Sequence, residues 1–115
     1  MLVQDLAEYI ETETGIPCIV GLRPSNAEAG INIFQTASLN SNIASTDLYN
    51  IQISVRHQDV GYAYDWVERV KEVLRGFYGT IGESKVVMWL ASVGSEIAEE
   101  DGDMIHIPIF VDVKI

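Results

Sequence analysis

The chain has 115 residues, 48% of them hydrophobic, with 17 Asp and Glu against 7 Lys and Arg and a formal net charge of −10. That length supports one self-sufficient core but not two, and no apolar run approaches the roughly eighteen residues that a membrane-spanning helix needs. The acidic balance argues against sequence-independent nucleic-acid binding through a basic surface. It suits solubility, a basic protein partner, or a surface that DNA passes without adhering. One cysteine, Cys18, excludes an internal disulfide and a cysteine-rich zinc site.

In chain order, Leu2, Val3, Leu6, Ala7 and Ile10 recur at helical spacing, opposite Gln4, Asp5, Glu8 and Glu11. Gly15 and Pro17 stop this helix, which is expected over Leu2 to Glu13. The acidic start of MLVQDLAEY does not read as a secretory signal, so assembly in the cytoplasm is expected. Cys18 to Leu22 reads as a short strand with Cys18 as a small core residue. Arg23 and Pro24 end it, and SNAEAG is a turn. INIFQT follows with both faces partly apolar, as in a central strand or in one that turns a face to a partner subunit. Ala37 to Leu48 is rich in Ser and Asn with no clear period, and reads as a long loop, either functional or a hairpin tip.

The strongest patterns lie between Tyr49 and Tyr78. Tyr49, Ile51, Ile53 and Val55 alternate with Asn50, Gln52, Ser54 and Arg56, which predicts a half-buried strand. Past Asp59, a candidate helix cap, Ala63, Trp66, Val67, Val70, Val73, Leu74 and Phe77 recur every three or four residues, which predicts an amphipathic helix. Each explains the other, since a one-sided strand and a one-sided helix both need a second layer. RGFYGTIGES reads as a glycine-rich connection. It follows a helix and lacks Gly-Lys-Ser/Thr, so it is not a phosphate loop.

KVVMWLASV, from Lys85 to Val93, is a strand apolar on both faces, with Trp89 turned either to the helix layer or to another molecule. Glu96 to Asp103 holds five acids in eight residues and reads as a solvated turn. The alternation from Ile105 to Ile115 is the longest strand signal, and Pro108 within it marks an edge, a bulge or a kink. The predicted fold is α+β in a single domain over 1–115: a mainly antiparallel sheet with two helices packed on one face.

No catalytic, cofactor or metal site is expected. His57 and His106 lack the spacing of a metal motif, and no nucleophile or paired-carboxylate arrangement is present. Tyr62, Tyr64 and Tyr78 fall off the helix stripe and, with Tyr49 and Trp89, are candidates for protein contacts or for flanking the core.

VQDLAEYIETETGIP, YNIQISVRHQD, YAYDWVERVKEVLRGF with the trailing GTIG, and IFVDVKI resemble the phage minor capsid protein family, whose members look like tail terminator or tail-completion proteins of long-tailed bacteriophages. The resemblance implies a homo-oligomeric ring, usually a hexamer, at the head-proximal end of the tail tube. Such a ring stops tube polymerisation and meets the head connector, while viral DNA passes through its lumen. It carries over no catalytic residues, cofactor or membrane contact, and it implies a virion component assembled in the host cytoplasm. Among Glu96, Glu99, Glu100, Asp101 and Asp103, or along the polar helix face, some acids are expected to line the bore. A competing expectation is a non-virion module, an acidic inhibitor or adaptor for a basic partner.

Overall fold

In the computed structural model, residues 2–21, 29–39, 48–98 and 104–115 are described. The helix α1 spans Leu2–Thr14 and buries Val3, Leu6, Ala7 and Ile10. Gly15 ends it in the left-handed region at φ 75°, with its N–H on Glu11 O at 2.9 Å. After it come β1 (Cys18–Val20), β2 (Gly30–Leu39), β3 (Leu48–His57), α2 (Val60–Leu74), β4 (Phe77–Ile81), β5 (Ser84–Val93), β6 (Ile97–Ala98) and β7 (Ile105–Lys114). The sheet order is β1-β2-β3-β7-β5-β4, with β6 also paired to β7. Every pairing is antiparallel except β1 with β2.

One face of this sheet carries the core. Ile31 and Ile33 lie opposite Val55 and Ile53, which in turn face Ile107 and Ile109. Ile51 faces Val111, and Met88 faces Val113. Against these isoleucines and valines α2 buries Ala63, Val67, Val70 and Leu74, so both helices and the sheet share one apolar cluster. Each large side chain fully withdrawn from water contributes roughly 1.5–3 kcal/mol before entropy is subtracted. The sheet curls: α1 touches β1 and β2 at one end of the strand path and β4 at the other. Extra residues at Thr36 in β2 and Ala91 in β5 shift the register and add local twist.

Several expectations need correction. RGFYGTIGES is not merely a connection, because Phe77–Ile81 pairs with β5 through the two-residue turn Gly82-Glu83. Gly82 has φ 61° and among the described residues no residue other than glycine has positive φ, so Glu83 does not, the pattern of a type II′ hairpin. The predicted loop from Ala37 begins later, since β2 runs to Leu39; residues 40–47 lie outside the described ones. Among the described residues, β2 is interior only where β1 covers Ile31 to Ile33. Cys18 is half-buried and packs against the edge of the core, while Ile19 and Val20 are exposed, three-residue β1 packing chiefly against α1 and β2 among the described residues. Ile97 and Ala98 form a short strand inside the stretch expected to be a turn.

Pro108 sits within the sheet, between β3 and the β5–β6 side. Gly94 N–H donates to Pro108 O at 2.8 Å, so the Pro108 carbonyl points toward β5. In an antiparallel strand the amide position of one residue points the same way as its carbonyl. The missing donor therefore falls on that side, where β5 stops at Val93 and β6 resumes at Ile97. Toward β3, Pro108 faces Ser54 and the ladder continues unbroken.

Candidate assembly surface

Strand alternation places a second set of side chains on the sheet face away from the helices. Its rows run across strands: Asn32, Ser54 and Pro108; Phe34, Gln52 and Phe110; Asn50, Asp112 and Trp89; Lys114, Val87 and Tyr78. The expected polar side of β3 is thus real, but it is not uniformly solvated. Asn32, Ser54 and Arg56 are only 3%, 7% and 6% exposed. Asn32 Nδ2 donates to Gly21 O at 2.9 Å, Gln52 Nε2 to Ser54 Oγ at 3.0 Å, and Asn50 Nδ2 to Asp112 Oδ1 at 2.7 Å. These bonds give polar groups of this face partners within the chain. Trp89 faces away from the helix layer and is 39% exposed, which excludes the first of its two expected orientations.

At the start of α2, Asp59 is the cap: its Oδ1 accepts the Tyr62 N–H at 3.1 Å. The Asp59 N–H donates to His57 Nδ1 at 2.9 Å, and the imidazole stacks on Tyr62 and meets the edge of Trp66. His57 is therefore occupied in ordering the helix start. His106 lies on the opposite face beside Arg56. Among the described residues no three His, Cys, Asp or Glu side chains are grouped to hold a metal ion, and no helix is long and apolar enough to cross a membrane.

Of the acids expected to line a bore, Glu96 is exposed and accepts the Tyr64 hydroxyl at 3.3 Å. Desolvation, then the charge and hydrogen bond of Glu96, raise the Tyr64 phenol above its ordinary value. Glu99, Glu100, Asp101 and Asp103 lie outside the described residues. On α2 the polar face is solvated, with Asp65–Arg69 at 3.7 Å and Glu68–Lys71 at 3.2 Å. Pairs this exposed contribute little to stability.

Two depressions meet at Val20. One is an apolar cleft of about 350 Å³ lined by Leu2, Val3, Val20, Phe34 and Tyr49. The other is a polar groove of about 510 Å³ between α1 and β1, lined by Gln4, Glu8, Glu11, Thr12 and Cys18. At the far end of the strand path Tyr78 stands 79% exposed on β4. The sequence marked Tyr78 as off the helix stripe, but not as a strand residue. Alternation of FYGTI and SKVVM around Gly82-Glu83 was the signal for that hairpin.

These elements define an α+β protein in which two helices fill the hollow of a curled, mainly antiparallel sheet. The same fold occurs in a chain of a solved structure described as the virion of a native gene transfer agent (GTA) particle, with TM-score 0.69 and 15% identity over 96% of this chain and 88% of that one. No protein-family model matches the sequence, and no curated protein matches it either. The resemblance noted from the four segments thus stands as similarity of fold to a virion protein.

Proposed function

We propose that the protein is a structural subunit of a tailed virus or virus-like particle that closes as a ring on the head-proximal end of the tail tube. The ring, most simply a hexamer, ends tube polymerisation and offers its other side to the head connector. One observation carries this: a virion chain shares the fold over nearly the full length of this one. The net charge of −10 adds support, since an acidic bore repels phosphates and lets DNA slide. The role is architectural, with no chemistry assigned to any side chain and no cofactor required.

The test is deletion in the producing particle followed by electron microscopy. Overlong tubes or tails detached from heads are expected. Tails of normal length joined to heads in the absence of the protein would overturn the proposal. The acidity also favours a second reading, an inhibitor or adaptor for a basic protein. That molecule would leave tube ends unoccupied, so imaging purified tubes mixed with the protein separates the two.

A further inference from the structure

We propose that copies of this chain join head to tail, with the β4–β5 end of one copy seated on the α1–β1–β2 end of the next. The inference rests on the ring reading above and names the contact that would build the ring. A heterologous ring needs two different surfaces on each subunit, each complementary to the other.

The receiving surface is the apolar cleft at Val20 with the acidic groove beside it. Val20 is 40% exposed between them. Past Ile33 the outer edge of β2 has no strand partner among the described residues. The segment FQTASL there contains neither charge nor proline, the devices by which edge strands commonly repel a second chain. α1 has no basic residue, and its last turn carries Glu11 and Glu13 at the negative end of the helix dipole. Glu11 accepts the Cys18 N–H at 2.8 Å, and a cation opposite these acids would stabilise them further.

The entering surface is the outer face of β4 and β5. Tyr78 and Val87 form a cross-strand pair, with Trp89 next along the same face. Lys85 lies on that face too, opposite Thr80, and Lys114 is paired with Val87 from the other side. Neither lysine makes an ion pair among the described residues, and nor does Arg75 ahead of β4. An apolar aromatic centre rimmed by cations thus stands at one end of the strand path, and an apolar cleft rimmed by acids at the other. Shape and charge both match a second copy of the same chain. Tyr78 is the anchor that fills the cleft, with Lys85 directed at Glu8 in the groove.

Disulfide trapping tests the contact. In a Cys18→Ser background, Val20→Cys protein mixed with Tyr78→Cys protein is expected to give a covalent dimer on oxidation, whereas neither alone does. A chain carrying both changes gives a ladder of oligomers. Symmetric dimers from a single variant, or no mixed dimer in concentrated protein, would overturn the inference. A second arm needs no cysteine. Tyr78→Asp raises the concentration for half-assembly by about tenfold or more, as loss of a buried aromatic anchor does. Lys85→Glu weakens assembly and Glu8→Lys in the same chain restores it; no restoration counts against the charge match. Cross-linked rings that leave tails unfinished would reject the tail role and keep the contact, while Tyr78→Asp protein that finishes tails normally would do the reverse.

Discussion

Gly94 lies directly over Pro108: a Cβ on Gly94 would come within 2.6 Å of Pro108 Cγ, and the Gly94 N–H donates to Pro108 O at 2.8 Å. This pair resolves a proline placed inside a sheet. The pyrrolidine ring occupies space that any side chain at residue 94 would need, and the absent N–H falls where the β5 ladder already breaks. Gly94→Ala should therefore cost about 1–3 kcal/mol through overpacking. Urea unfolding of the variant measures it, and an unchanged midpoint would show that the β5–β6 junction yields freely.

How much of this was legible beforehand depended on whether a residue's neighbours are close in sequence. The faces of α1, β3, α2 and β7 follow from spacing alone, and Val70, Ile53 and Ile109 are buried as that spacing requires. Asp59 also acts where its position predicts. β4 was hidden because Phe77 continues the helical spacing of Val70 and Leu74, yet belongs to a strand and packs edge-on against Tyr9 of α1. The burial of Arg56 and Ser54 was hidden as well. Alternation tells which face a residue takes but not what else lies over that face. The two ends that form the candidate assembly surface are products of the sheet path, which sets β1 and β4 at its opposite ends because β7, from the end of the chain, inserts between β3 and β5.

Val70 is fully buried at the centre of the α2 stripe, in the cluster shared by the sheet and both helices. An aspartate there would place a carboxylate among isoleucines and valines with no compensating charge, a cost comparable with the whole stability of a domain this size. Val70→Asp is expected to abolish cooperative melting in circular dichroism. A melting curve like that of the parent would show that α2 does not bear on the core.

The Asp59 cap can be separated from burial because the side chain is exposed. Asp59→Ala removes the acceptor for the Tyr62 N–H and should cost about 1 kcal/mol, while Asp59→Asn retains an oxygen and most of the stability. Denaturant titration of the three proteins gives the order. Equal loss in the Ala and Asn variants would mean that the charge, and not the capping oxygen, is what matters. No loss in either would remove the cap from the account of why α2 begins at Val60.

Tyr64 and Tyr9 give the pH dependence. Burial raises both phenols, with the Glu96 charge and hydrogen bond adding to it at Tyr64 and the Glu13 charge at Tyr9. A tyrosine whose folded value exceeds its unfolded one is favoured in the neutral form by folding. Its contribution is complete below the unfolded value, about 10, and is lost as pH rises through the folded value. Weakening of the tie between α2 and the segment before β6 is thus expected only in that alkaline window, where ionised Tyr64 faces the Glu96 carboxylate. The difference in tyrosinate absorbance between the parent and Tyr64→Phe should have its midpoint above the ordinary tyrosine value, and Glu96→Gln should move it down. A midpoint at or below the ordinary value would mean that Tyr64 meets water instead of Glu96, and would detach the segment before β6 from the helix.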